Sequence, residues 1–204
     1  MVQILAGVSL ASIVGGFLLG HALPHPPRGF AQVVARGGST RWTEVVWVIG
    51  ALVGAFWCIG VLLDPALAYN WPPLPVFPYS ESVQLLGFLI SMGGGLLFFA
   101  ATRALGRYMT PEIQVREGHE LVRNGPYRYV RHPVYTAILL GVAGQTILYL
   151  SPVLGLITLF LIGMATYRAH LEEELLGSPK GFGKTYAEYA ATTGRFLPRI
   201  RPKP

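Results

Sequence analysis

Residues 132–173 read HPVYTAILLGVAGQTILYLSPVLGLITLFLIGMATYRAHLEE. Two apolar runs, roughly Pro133 to Leu150 and Val153 to Tyr167, are separated only by Ser151-Pro152. That break is too short for a loop of any size, and Pro cannot continue a helix beyond its first turn, so the pair marks the tip of a tight helical hairpin. Crossing about 30 Å of hydrocarbon takes about 20 mostly apolar residues in a helix, which both runs approach. The polar groups flanking the runs, His132 and Tyr135 at one end and Arg168 and Glu172 at the other, are then expected at the membrane boundary.

Working outward, three further segments have the length and composition of spans: roughly Val2 to Leu23, Val45 to Leu63 and Val83 to Leu105. The first lacks the basic start and small-residue cleavage pattern of a signal peptide and is read as a span. The expected fold is therefore all-α: a polytopic membrane bundle of about five transmembrane helices. Composition agrees, with 52% hydrophobic and only 13% charged residues, where a soluble domain carries about 25% charged. The 25 Gly and 16 Pro are spread through apolar stretches rather than gathered in a low-complexity tract. The lone Cys58 excludes an intramolecular disulfide and a cysteine zinc cage. Nor do the histidines have metal-cage spacing, so no metal is expected.

The net charge of +6 is better matched to an anionic membrane surface than to nucleic acid in so apolar a chain. Lys and Arg are retained on the cytoplasmic side of short loops. Arg28, Arg36 and Arg41 lie in the first loop, six arginines from Arg103 to Arg131 lie between spans three and four, and seven basic residues from Arg168 to Lys203 lie in the tail, which accounts for all 16. The opposite face, Asp64 to Glu81 and the Ser151 tip, has none. The N-terminus is expected outside and the C-terminus in the cytoplasm, in a prokaryotic inner membrane. Small residues four apart (Gly16 and Gly20, Gly50 and Gly54, Ala137 and Gly141) let membrane helices approach closely, and packing within one chain is preferred over a dimer interface. Oligomeric state stays open. No internal repeat points to an inverted-repeat transporter.

Polar chemistry concentrates in two cytoplasmic pieces, Arg116 to Tyr135 and Arg168 to Ile200. In the first, Asn124-Gly125-Pro126 reads as a turn. His132 then stands at a helix N-cap with Pro133 at the first helical position, and shares a face with Tyr135. The exposed N–H groups of such a helix start favour an anion; the plainer alternative is a basic loop binding lipid head groups. In the second, Arg168 and Glu172 share a helical face, either as a surface ion pair or as the lining of a cavity. Phe182, Tyr186 and Tyr189 recur at helical spacing, so a C-terminal amphipathic helix is expected to lie against the membrane or cover the bundle as a lid.

Taken together, His119-Glu120-Leu121-Val122, Gly125-Pro126-Tyr127, Arg131-His132-Pro133-Val134-Tyr135, Arg168-x-x-x-Glu172-Glu173-x-x-Leu176, Phe182-Gly183-x-x-Tyr186-x-x-Tyr189 and Arg195-Phe-Leu-Pro198 resemble the isoprenylcysteine carboxyl methyltransferase family. The resemblance covers roughly residues 103–200. It implies an integral-membrane enzyme using S-adenosylmethionine and releasing S-adenosylhomocysteine. Residues 103–204 would form the methyltransferase core, with the hairpin at 132–170. Residues 1–102 would form a three-span scaffold on the lipid-substrate side. The implied cofactor contacts are Gln114, His119, Glu120, Leu121, Val122, Tyr127, His132, Pro133, Val134, Tyr135 and Glu172, with Arg168 at the substrate end. The family's usual three residues between the leucine and Phe-Gly are five here, Gly177 to Gly181.

The implied partner is the bilayer together with a lipid or lipidated acceptor. A prenylcysteine-type carboxylate would be its own nucleophile, oriented by Arg168; an amine or thiol would have to lose a proton, with Glu172 or Glu173 as acceptor. Three other functions compete: a phospholipid amine methyltransferase, an NADPH-dependent membrane reductase of the sterol type, and a non-catalytic lipid-binding membrane protein.

Overall fold

A computed structural model describes residues 1, 3–11, 33–37, 41–64, 80–110 and 112–199. Helix α1 covers residues 3–11. The remaining helices are α2 (Arg41–Leu63), α3 (Ser80–Leu105), α4 (Pro133–Tyr149), α5 (Pro152–Gly177) and α6 (Lys184–Thr192). Among the described residues, Glu81–Tyr108 and Pro152–Gly177 are long and apolar enough to cross a membrane, and Pro133–Tyr149 is apolar but shorter. Most of the first expected span, the Gly16 and Gly20 pair and the outer loop from residue 65 to 79 lie outside the described residues, as do the side chains of Gly50 and Gly54.

The hairpin forms where Ser151-Pro152 places it. Leu150 closes α4 in the left-handed conformation at φ 50°, the Ser151 hydroxyl accepts from Leu154 N, and Pro152 opens α5. Helix α5 does not stop where the apolar run stops. It continues ten residues past Tyr167, because His170-Leu-Glu-Glu-Glu-Leu-Leu176 contains no helix breaker before Gly177-Ser178-Pro179. At 1.5 Å per residue its 26 residues extend about 39 Å, longer than the ~30 Å hydrocarbon core.

Helices α3 and α4 touch backbone to backbone. A Cβ at Gly94 would lie 2.7 Å from Ala137 O and Gly141 N, and one at Gly144 would lie 2.4 Å from Ser91 N. The Ala137 and Gly141 pair thus serves packing within the chain, and α3, assigned from the sequence to the scaffold, is in intimate contact with the hairpin. At the Ser151 end a core forms from Ala6, Cys58, Val61, Leu148, Tyr149 and Leu154, where the Tyr149 hydroxyl donates to Cys58 Sγ at 3.1 Å. This core ties α1, the end of α2 and the hairpin tip together, leaving the other end of the bundle to the polar chemistry.

The fold is not wholly helical. Strand β1 (Val33–Arg36) pairs antiparallel with β2 (Gln114–Arg116), with Arg36 opposite Gln114 and Val33 opposite Arg116. Gly37 N extends the contact to Ile113 O at 2.9 Å. The first loop therefore reaches the segment that precedes the hairpin.

Candidate functional site

At the open end of the hairpin a cleft encloses about 760 Å³, its mouth included. The end of α3 and the following turn contribute Leu105 and Tyr108 to its wall; the approach to β2 adds Glu112, Ile113 and Gln114. The loop at 119–122 and the 3-10 turn Gly125–Arg128 add His119, Glu120, Leu121, Val122 and Tyr127. Helix α4 offers Tyr135, α5 offers Arg168, Glu172, Leu175 and Leu176, and beyond α5 stand Phe182, Tyr186 and Tyr189.

The polar floor is built by helical spacing. Arg168 and Glu172, one turn apart on α5, face Tyr135 in the first turn of α4. The Tyr135 hydroxyl accepts from Arg168 Nε at 3.2 Å and donates to Glu172 Oε2 at 3.0 Å. Arg168 is buried at 4% exposure, whereas the Glu172 side chain keeps 33%. A fixed cation and a partly open carboxylate thus sit side by side, joined through one hydroxyl. Behind them His132 stacks on Tyr135, ring centroids 5.5 Å apart. Its Nδ1 lies 3.6 Å from Glu172 and its Nε2 3.1 Å from Glu173. Burial opposes protonation of His132, but the two carboxylates outweigh it and raise its pKa.

The mouth is aromatic. Tyr108 stacks on His119 with centroids 4.4 Å apart, and Phe182 meets His119 edge-on at 5.5 Å. Burial and the nearby Arg116 lower the His119 pKa against the pull of Glu172, which favours the neutral ring. On the far wall the Tyr189 hydroxyl donates to Tyr127 O at 2.6 Å, and burial, then the charge on Glu172, raises the pKa of Tyr127.

Of the residues singled out in the sequence, Gln114, His119, Glu120, Leu121, Val122, Tyr127, Tyr135, Arg168 and Glu172 line this one cleft. His132, Pro133, Val134 and Glu173 do not. His132 and Pro133 are buried behind the floor, and the Glu173 carboxylate is taken up by Arg131, His132 and Arg195. Sequence reasoning missed Tyr108, Glu112 and Leu175. Tyr108 had no signal beyond its place at the end of a span, since its partner His119 is eleven residues away across an irregular loop.

Residues 85–178 match the model of the isoprenylcysteine carboxyl methyltransferase family. The resemblance read from the sequence is upheld for that segment. It runs from α3 to the end of α5 and takes in the cleft wall as far as Leu176; Phe182 and α6 lie beyond it. Protein-S-isoprenylcysteine O-methyltransferase A of Arabidopsis thaliana is 28% identical over 143 residues, 69% of this chain and 66% of that protein. A protein of Oryza sativa subsp. indica, named "Probable protein-S-isoprenylcysteine O-methyltransferase", is 30% identical over 121 residues, 58% of this chain and 62% of its own length. The Homo sapiens protein-S-isoprenylcysteine O-methyltransferase is 27% identical over 133 residues, 64% of this chain and 45% of that protein. The chain thus spans less than two thirds of the length of these relatives.

Proposed function

We propose that this chain is an integral-membrane methyltransferase that moves a methyl group from S-adenosylmethionine to a lipophilic acceptor, the carboxylate of a prenylated cysteine. The observation carrying this reading is the cleft itself: nine residues chosen from family resemblance, scattered from Gln114 to Glu172, line one cavity. Its make-up also fits the cofactor, with Leu121, Val122, Leu175 and Leu176 as apolar wall and Glu172 and Arg168 as opposite charges on the floor.

The cofactor, when bound, supplies a methyl group already activated on a sulfonium sulfur. What remains for the protein is placement and exclusion of water. Glu172 and Tyr135 hold the polar part of the nucleoside, with His119 and Tyr127 as flanking walls. Arg168, buried and steadied by the Tyr135 hydroxyl, orients the acceptor carboxylate by charge-assisted hydrogen bonds. A carboxylate needs no base, so Glu172 acts as a binding group. Helix α6 turns Tyr186 and Tyr189 inward, both buried, and serves as an amphipathic lid. In this reading the site faces the cytoplasm of a prokaryotic inner membrane with the N-terminus outside, and residues 1–102 shape the lipid side.

Calorimetric titration of the detergent-purified protein tests the reading. S-adenosylhomocysteine should bind and NADPH should not, and labelled methyl should pass to an N-acetylated S-prenylcysteine. Glu172→Ala should weaken nucleoside binding at least about tenfold, the loss of a hydrogen bond to a charged group. Binding of NADPH in place of the nucleoside would replace this reading with a reductase.

A further inference from the structure

Glu173 is the middle one of three consecutive glutamates on α5, and its side chain is 15% exposed. Its Oε1 accepts from Arg131 Nε at 3.0 Å and lies 3.1 Å from His132 Nε2. Its Oε2 accepts from Arg195 Nε at 3.1 Å and from Arg195 Nη2. One carboxylate thereby gathers two arginines and a histidine from two distant segments, one entering α4 and one leaving α6.

The second segment is a strap. Arg131 Nη1 donates to Ala190 O at 2.9 Å and to Thr193 O at 2.6 Å. Arg131 N donates to Gly194 O, His132 N to Arg195 O, and Thr136 Oγ1 to Phe196 O. Residues 193–196 are thus stitched along 130–136. The strap turns sharply at Gly194, where a Cβ would fall 1.7 Å from Leu197 O. Helix α6 lies immediately before it, and Tyr186 and Tyr189 of α6 are walls of the cleft.

We propose that Glu173 is a positioning residue: it holds Arg131 and Arg195 so that the strap keeps α6 over the cleft, and it takes His132 Nε2 so that the other ring nitrogen faces Glu172. It does not line the cleft, so it acts on the ligand only through α6 and His132. The groups facing His132 are Glu172 and Glu173 of α5, Tyr135 of α4 and Phe196 of the strap; Arg168 bonds the Tyr135 hydroxyl, and the guanidinium groups of Arg131 and Arg195 bond the Glu173 carboxylate. For its effect on the ligand the proposal rests on the methyltransferase reading; for the clasp it does not.

Two readouts separate these. In hydrogen–deuterium exchange of the full chain in detergent, Glu173→Gln should speed exchange of amides 184–193 at least about tenfold, Glu173→Asp should restore part of the protection, and α4 should be unaffected. In steady-state methyl transfer, Glu173→Gln should raise KM for S-adenosylmethionine about tenfold and change kcat less than about threefold. Should Glu173→Gln fail to fold, Thr136→Val, which cuts one strap bond and leaves every charge in place, carries the exchange test. Unchanged protection of 184–193 overturns the proposal, and so does a lost kcat at constant KM, which would make Glu173 part of the chemistry. Failure of the wild-type protein to bind S-adenosylhomocysteine would overturn the methyltransferase reading, and the exchange measurement would then decide the clasp alone.

Discussion

His132 stands between two carboxylates in a buried position, and its raised pKa gives stability a sign with pH. A group whose pKa is higher folded than unfolded contributes fully below its unfolded value, about 6.5 for histidine, and loses that contribution as pH rises through the folded value. The lowered pKa of His119 works the other way, its contribution being lost as pH falls below about 6.5. The difference between wild type and His132→Gln isolates the first effect. The gap between their thermal midpoints in detergent should be widest near pH 6 and narrow above about 6.5; parallel curves would mean that His132 is neutral throughout. Tyr135→Phe removes the hydroxyl joining Arg168 to Glu172, and nucleoside affinity should fall by about 1–2 kcal/mol as read by calorimetry. At this scale the chemical types were legible in the sequence: Arg168 and Glu172 share a face by spacing alone. The partners of Glu173 were not, because Arg131 and Arg195 lie 42 and 22 residues away and only the folded strap brings them in.

Among the elements, the hairpin was the most legible, since Ser151-Pro152 both ends one helix and starts the next. The end of α5 was not, because hydropathy marks where a helix leaves the lipid and says nothing of where its hydrogen bonding stops. The β1 and β2 pair was hidden for another reason: strands of four and three residues are too short to show alternation. The glycines of α3 and α4 carry the clearest stability prediction. Gly144→Val would drive a side chain into the backbone of Ser91, an overpacking that costs about 1–3 kcal/mol or more, and should lower the thermal midpoint in detergent. Gly163→Val is the control, since a Cβ there meets nothing within 4 Å.

For the whole molecule, the bundle has two unlike ends. One is a small apolar core at the hairpin tip; the other is a charged cleft beneath a short helix. Cysteine labelling tests how these ends face the membrane: in a Cys58→Ala background, Pro152→Cys should react with an impermeant maleimide added outside intact cells, and Lys180→Cys only after lysis. The contact of α3 with α4 has a consequence for traffic. Where two backbones touch through Gly87, Gly94 and Gly144, no alkyl chain can slide between the rods. If the acceptor is prenylated as proposed, its tail finds that doorway closed and would have to reach the cleft along another flank of the hairpin. Among the described residues, Leu156, Leu159, Phe160 and Tyr167 are exposed along the outer face of α5, while Arg168 stands on its inner, buried face, so an acyl chain laid on that outer face would have to turn the helix's edge to reach the guanidinium.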